Sequence, residues 1–318
     1  MLPEEIVIEL TAACNFSCES CFNIASFAEK ARNEQLKTNY VKKIIDVVAN
    51  YGINRVRFSG GEPLLRPDLF ELMEHAKSKN LKIWLNTNAT LVTEPMARQL
   101  AKYVENILVP YNGYNEKSDF LWTRTLDSFE KKQRGVKIFK QFNFPVLRAG
   151  TVLTPENIEN LDAIFKLTQG VSWEVWRPIP MTHKDDVDVE KLVKKLIILS
   201  NLKKEAIPIA NAIPFCSYDM KIMDKLCLGA VHDDGHARMV VDPRGYVKPS
   251  YFIDKNIGSP LELNKCWNHE FMKKMRSLEF LPEKCNMCKY KSKCKGGSRY
   301  IANLVGGNYG AADPLMIS

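Results

Sequence analysis

Nine cysteines in 318 residues are the side chains best suited to carry chemistry, and they fall into two groups separated by a long thiol-free stretch. Cys14, Cys18 and Cys21 form a C-x3-C-x2-C run, and the others are Cys216, Cys227, Cys266, Cys285, Cys288 and Cys294. An odd total argues against a purely disulfide framework. The close spacing of the first three suits a loop wrapped around three corners of an iron–sulfur cubane, which ordinarily takes four cysteines. With no fourth ligand nearby, one iron stays open, and an open metal position is where a substrate can react. Zinc is the competing reading, but such a zinc site recruits a fourth Cys or His close by, and the first histidine is His75. Buried structural thiols are the blandest reading, and three of them in so short a loop would be unusual.

The second group contains Cys285-Asn-Met-Cys288-Lys-Tyr-Lys-Ser-Lys-Cys294-Lys-Gly296-Gly297, a C-x2-C-x5-C run closed by a glycine pair. The C-x2-C part alone also suits zinc. Cys266, beside Trp267 and far from any pair, reads as a packed thiol. His232 and His236 flank an Asp-Asp-Gly turn and read as solvated loop histidines. A further candidate is Ser59-Gly60-Gly61-Glu62-Pro63-Leu64, where paired glycines let a ligand approach the backbone and Glu62 offers a carboxylate to a cation.

The elements that must hold these residues alternate. Strands are expected over 5–11, 55–59, 81–87, 104–109, 145–153 and 171–178, with helices over 38–51, 68–79, 94–103, 126–142, 157–167 and 189–202. Repeated strand–helix units imply a parallel sheet whose ligands sit at the carboxyl ends of the strands. Both Cys14–Cys21 and Gly60–Glu62 follow such ends. After residue 202 the pattern becomes shorter and punctuated by Cys, Gly and Pro, which places a boundary near 205. The expected fold is α/β: a partial (β/α)6 barrel over 1–205, then a small α+β domain over 206–318.

A hydrophobic content of 45% is ample for a core, and the net charge is +8. That excess can attract nucleic acid, but no basic and aromatic surface module is present, and Lys284, Lys289, Lys291, Lys293, Lys295 and Arg299 stand where they offset thiolate charge. No apolar run reaches the roughly 18 residues of a membrane span. The start, Met1-Leu2-Pro3-Glu4-Glu5, lacks signal-peptide character. A cytoplasmic protein is expected, without nucleic-acid or membrane partners.

C-x3-C-x2-C after the first strand and Gly-Gly-Glu-Pro after the second together resemble the radical S-adenosylmethionine (SAM) superfamily. By that resemblance Cys14, Cys18 and Cys21 hold a [4Fe–4S] cluster whose fourth iron is chelated by SAM. Gly60, Gly61 and Glu62 would meet the methionine amino group. Thr87 and Asn88, in Asn86-Thr87-Asn88-Ala89, match the family's Thr-Asn-Gly turn near the SAM ribose, with Ala89 for glycine. Arg148 on the fifth strand would meet the SAM carboxylate or form a structural ion pair. Ser20 stands where an aromatic is common, with Phe22 after the third cysteine, and Pro110-Tyr111-Asn112-Gly113 replaces a Ser-Leu-Asp-Gly-like strand end.

The C-terminal stretch is similar to the auxiliary-cluster regions called SPASM and twitch, through Cys227-Leu-Gly, Asp242-Pro243-Arg244-Gly245, the C-x2-C-x5-C run and the Asp313-Pro314-Leu315 tail. Three cysteines of the full pattern are replaced, by Ser250, Ser298 and Met316. The resemblance therefore implies one auxiliary [4Fe–4S] cluster on Cys285, Cys288 and Cys294. Its fourth ligand is Cys227 or Cys216, or else the site stays open; Cys227, ahead of the Asp242–Gly245 turn, is the favoured thiolate. The implied enzyme cleaves SAM reductively to a 5′-deoxyadenosyl radical that abstracts a substrate hydrogen atom, works at low oxygen and draws electrons from a flavodoxin- or ferredoxin-like donor. Peptide or protein modification is the leading expectation. Tetrapyrrole or small-molecule oxidation is the alternative, favoured somewhat by a chain that starts almost at its first strand. An iron–sulfur electron carrier is the non-enzyme alternative, in which Gly-Gly-Glu-Pro has no purpose.

Overall fold

The computed structural model describes residues 2–18, 21, 35–179, 187–230 and 235–317. The six expected strands are present: β1 (Glu5–Glu9), β2 (Arg55–Ser59), β3 (Lys82–Asn86), β4 (Val104–Pro110), β5 (Val146–Val152) and β6 (Ser172–Trp176). Helices α1 (Thr38–Asn50), α2 (Leu69–Ser78) and α3 (Glu94–Leu100) follow the first three strands. In α1 the buried residues Val41, Ile44, Ile45 and Val48 repeat at helical spacing. Each contributes about 1.5–3 kcal/mol by leaving water.

One expected helix is divided in two, and one further helix appears. The helix expected over 126–142 is present as α5 (Ser128–Phe139), preceded by a helix the sequence reading did not expect, α4 (Glu116–Thr123). Asn115 and Ser118 cap the start of α4 reciprocally, and the left-handed backbone of Arg124 and Asp127 breaks the helix before α5. The segment over 157–167 resolves into α6 (Pro155–Glu159) and α7 (Leu161–Leu167), with Asn160 between them. Helix α8 (Val189–Lys203) agrees closely with expectation.

The chain packs as two compact units, Met1–Arg148 with Ala237–His269, and Ala149–His236 with Glu270–Ser318. In the first, the strand order from β5 inward reads β5-β4-β3-β2-β1-β7-β8, where β7 (Arg238–Val241) and β8 (Val247–Lys248) lie beyond β1. β1 pairs in parallel with both β2 and β7, β2 with β3 and β3 with β4; β8 returns antiparallel to β7. In the second unit β6 lies beside the remainder of β5, and the later helices are α9 (Met220–Leu226), α11 (Glu270–Ser277), α12 (Lys291–Cys294) and α13 (Arg299–Gly306). Helix α10 (Leu263–Trp267) belongs to the first. No helix among the described residues is long and apolar enough to cross a membrane.

The first unit's sheet has two unlike faces. Register places Ile6, Ile8, Val56, Phe58, Ile83, Leu85 and Ile107 on one face, all buried. The other carries Glu5, Glu9, Arg57, Ser59, Trp84, Asn86, Asn106 and Lys248. A parallel sheet covered on both sides is normally apolar on both. This face, which also carries Val7, Val240 and Leu108, is therefore the more polar of the two.

Candidate functional site

The cysteine loop begins where β1 ends. Its backbone continues against the end of β2: Gly61 N–H donates to Thr11 O at 2.7 Å and Glu62 N–H to Ala13 O at 2.8 Å. A Cβ on Gly61 would lie 2.0 Å from Ala13 O, and one on Gly60, whose φ is +129°, 2.5 Å from Thr11 O. The neighbour these glycines admit is thus the cysteine loop itself. Further along, Ser17 N–H donates to Thr123 O at 3.1 Å and Phe16 N–H to Cys14 Sγ at 3.4 Å. Asn15, between the first two cysteines, receives Asn88 Nδ2 at 2.8 Å and gives its own Nδ2 to Thr90 Oγ1 at 2.9 Å. The ends of β2 and β3 both grip this loop. Ser20 and Phe22 lie outside the described residues.

Glu62 joins the two strand ends. It is fully buried, and its carboxylate accepts from Leu64 N–H at 3.0 Å, Thr87 Oγ1 at 2.7 Å and Asn88 N–H at 2.8 Å. A carboxylate has about four acceptor positions, so one remains for an outside donor. Burial pushes the group up to about 7, against the opposing pull of those three hydrogen bonds. An ammonium placed there would favour the ionised form. Ala89 holds a left-handed φ of 63°, and a Cβ on Gly135 of α5 would fall 1.9 Å from its carbonyl oxygen.

Desolvation pushes Cys14 and Cys18 up to about 12, and both feel the Cys21 thiol. Cys14 is exposed as a residue, Cys18 half-buried. Thiols held neutral in this way lose protons when they take iron. Among the described residues no three His, Cys, Asp or Glu side chains gather tightly enough to hold a metal ion. Cys14, Cys18 and Cys21 nonetheless share one loop and sense one another, the donor chemistry a thiolate cluster needs.

Arg148 donates through Nε to Asn106 Oδ1 at 3.0 Å, and its guanidinium lies 5.5 Å from the Trp84 ring centre. Other charges on the polar face escaped the sequence reading. Glu5 is buried, yet Arg57, Arg238 and Arg55 overcome that burial and hold it down at about 2. Glu9 and Lys248, both buried, stand 3.4 Å apart, and among the described residues none of their charged atoms has a hydrogen-bond partner. Burial raises Glu9 to about 7 despite Lys248. The signal was present in the string Glu5-Ile-Val-Ile-Glu9, where two carboxylates share one face of an apolar strand.

In the second unit, Cys285, Cys288 and Cys294 are carried by one loop and α12. Burial pushes Cys285 up, helped by Cys294 and, more weakly, by Cys216 and Cys288. The cation felt by Cys285 is Arg299, which is buried and donates to Tyr309 O at 3.0 Å and Ala311 O at 2.9 Å. Cys227 is buried and raised to about 12 by desolvation and then by Cys294. Ser298 Oγ caps α13 through Ile301 N–H at 3.2 Å, and in the first unit Ser250 Oγ accepts from Ile253 N–H at 3.3 Å, so both serines are engaged by backbone. Asp313 of the tail binds Arg177 at 2.7 Å and Ser298 N–H at 2.8 Å. Cys266, in the first unit, is wholly buried, and its Sγ donates to Ser259 O at 3.3 Å. The expected solvated character of His236 is corrected: burial, then Lys295 and Arg276, lower it to about 3, so its ring stays neutral. His232 lies outside the described residues.

The family model of the radical SAM superfamily matches residues 8–168. An AdoMet-dependent heme synthase of Methanosarcina barkeri is 28% identical, covering 99% of this chain and 96% of its own length. A PqqA peptide cyclase of Xanthomonas oryzae is 26% identical, covering 98% of this chain and 87% of its own. Among solved structures, Streptococcus suis SuiB bound to S-adenosylmethionine has a TM-score of 0.78 at 17% identity, covering 100% of this chain and 78% of that one. Native anSMEcpe with bound AdoMet gives 0.78 at 18% identity, covering 98% and 93%. These two share the fold.

Proposed function

Because the chain belongs to the radical SAM superfamily, we propose that it modifies a peptide or protein by SAM-dependent hydrogen abstraction, with its C-terminal cysteine group as an auxiliary region. When bound, the reduced [4Fe–4S] cluster and SAM supply a 5′-deoxyadenosyl radical that removes a hydrogen atom from a substrate C–H. Cys14, Cys18 and Cys21 hold three irons. Gly60 and Gly61 keep the cysteine loop against the end of β2, and the remaining acceptor position of Glu62 accepts a hydrogen bond from the methionine amino group. Thr87 and Asn88 fix Glu62 from the end of β3 and border the ribose. Arg148 orients the SAM carboxylate. In this reading residues 1–205 form the catalytic core, and 206–318 form an auxiliary region with one cluster on Cys285, Cys288 and Cys294. A flavodoxin- or ferredoxin-like donor supplies electrons, in the cytoplasm.

The observation that carries the reading is the convergence on one loop of three thiols, the Gly61 and Glu62 N–H groups and the Asn15–Asn88 hydrogen bond. The peptide substrate is supported by the peptide cyclase relatives and by the likeness to SuiB bound to its precursor peptide SuiA. A tetrapyrrole substrate is the second reading, favoured by the heme synthase relative that aligns over nearly its whole length. After anaerobic reconstitution and reduction, the wild type should form 5′-deoxyadenosine from SAM and Cys18→Ala should form none while keeping its fold by circular dichroism. Undiminished turnover in that variant would reject the assignment. Incubation with a precursor peptide and with a carboxylated tetrapyrrole, followed by mass spectrometry, separates the two substrate readings.

A further inference from the structure

We infer that Lys132 and Asp119 are positioning residues for the N-terminal cysteine loop: their buried ion pair fixes the Thr123 carbonyl that holds the loop beside Cys18. The inference rests on the SAM-cleavage reading for what the loop carries, and it adds which distant side chains set the loop in place.

The contacts form one continuous path. Lys132 on α5 donates from Nζ to Asp119 Oδ1 on α4 at 2.5 Å. The other carboxylate oxygen of Asp119 accepts from Ser128 Oγ, at the start of α5, at 2.5 Å. Thr123 Oγ1 stands 2.8 Å from Ser128 Oγ and 2.9 Å from the Asp119 carbonyl oxygen. All four residues are buried. Thr123 closes α4, and its carbonyl accepts from Ser17 N–H at 3.1 Å and from Thr125 Oγ1 at 3.0 Å. Ser17 immediately precedes Cys18.

Two features separate this path from an ordinary contact between helices. Helix α5 also reaches the loop from a second side. A Cβ on Gly135, three residues after Lys132, would fall 1.9 Å from the carbonyl oxygen of Ala89, in the turn whose Asn88 and Thr90 bind Asn15. Asn15 and Ser17 both lie between Cys14 and Cys18, so the two holds on this short stretch lead back to one helix. The second feature is the charge. A buried ion pair is commonly no more stabilising than an apolar pair of the same volume, because desolvating both ions offsets their attraction. What the ions add is direction. Asp119 accepts at both oxygens from donors on α5, and its backbone is pinned by Gly113, where a Cβ would lie 2.4 Å from Asp119 Cα. Helix α4 can neither turn nor slide without breaking the pair, and the Thr123 carbonyl keeps its aim.

The test replaces both ions together, because removing one leaves the other buried and unpaired. The full chain carrying Asp119→Leu with Lys132→Met is compared with wild type by amide hydrogen exchange in the iron-free state. The Ser17 amide should be protected in wild type and exchange about tenfold faster or more in the double variant. The Gly61 and Glu62 amides, held at the strand end, should keep their wild-type rates. An unprotected Ser17 amide in wild type, no acceleration there in the variant, or equal acceleration at all three amides overturns the inference. Should the double variant lose its fold by circular dichroism, a second pair of variants decides. Thr123→Val, which lacks the hydroxyl, should speed exchange at Ser17 alone, and Thr123→Ser should restore protection; identical behaviour of the two overturns the inference. After anaerobic reconstitution, the part of the paramagnetic spectrum that responds to SAM should shift or weaken in the double variant, and 5′-deoxyadenosine formation should fall about tenfold or more. A wild-type spectrum and rate alongside a loosened Ser17 also overturns the inference, since the loop would then be held without being positioned. Wild-type protein that forms no 5′-deoxyadenosine rejects instead the SAM-cleavage reading, and the exchange rates still decide whether the ion pair holds the loop.

Discussion

The two cysteine regions use the same residue types in different mechanical roles. Around Cys14–Cys21 the thiols ride on one loop, and what that loop meets is backbone from Gly61 and Glu62 after a strand and from Thr123 at the end of α4. Around Cys285–Cys294 the chain folds on itself, and the Phe215 turn brings a distant stretch of sequence against Cys294. Each region has a glycine pair. Gly60-Gly61 make room for another chain segment, whereas Gly296 and Gly297, with φ of +74° and +77°, turn the chain out of α12. Close approach and reversal of direction are separate reasons for glycine, and they predict separate sensitivities.

The sharpest test of that contrast is Gly61→Ala. Its Cβ would meet the rigid Ala13 carbonyl at 2.0 Å, so the strand end and the cysteine loop must separate. A loss of about 3 kcal/mol or more is expected, and reconstitution should yield C-terminal iron but no 5′-deoxyadenosine. Retention of SAM cleavage would show that the loop does not depend on this contact.

The polar face beside the N-terminal loop gives the next largest effect, and it is pH-dependent. Glu9 sits at about 7 in the folded chain against an ordinary 4.5. The folded state therefore binds the extra proton, and stability from this group is lost as pH rises from about 4.5 through 7. Glu62 acts in the same direction. Glu5, held at about 2, acts oppositely, losing its contribution as pH falls below its ordinary value. Glu9→Gln fixes the neutral form. It should match wild type near pH 5 and exceed it by up to about 3 kcal/mol at pH 8 in denaturant melts of the iron-free protein. A variant weaker than wild type at pH 8 would mean that the ionised pair with Lys248 is net favourable.

Gly297→Ala should cost about 2 kcal/mol, because alanine is strained at this left-handed φ. Its Cβ would also lie 2.5 Å from the Asp313 carboxylate that holds Arg177. Here the expected loss is of C-terminal iron, with SAM cleavage retained. The smallest effect is a gain. Ala89 is strained at φ 63°, and Ala89→Gly should raise stability by about 0.5 kcal/mol once the greater freedom of unfolded glycine is subtracted. A calorimetric melt that moves downward would show that the methyl group's packing outweighs the strain.

Much of this was legible in the residue string because its causes are local. The strand–helix alternation comes from side-chain periodicity, and α1 shows it in Val41, Ile44, Ile45 and Val48. The extra helix α4 and the division of 157–167 at Asn160 were not legible, because both are short and owe their ends to capping contacts rather than to a long periodic pattern. The addition of β7 and β8 to the sheet beyond β1 was not legible either, since a short strand gains its place from a partner far away in sequence.

The sequence by itself determined the spacing of three thiols after a first strand, the Gly-Gly-Glu end of a second and the parallel α/β order, since each is written in neighbouring residues. Only the tertiary structure decided that Gly60 and Gly61 admit the cysteine loop, that Glu62 spends three of its acceptor positions joining two strand ends, and that Glu9 faces Lys248 without a hydrogen-bond partner among the described residues. Only it set the Phe215 turn against Cys294 while leaving Cys227 beside Ile209. The physical reason is that spacing limits what a loop can hold, whereas burial and the meeting of distant segments determine which groups lose water and which partners they find.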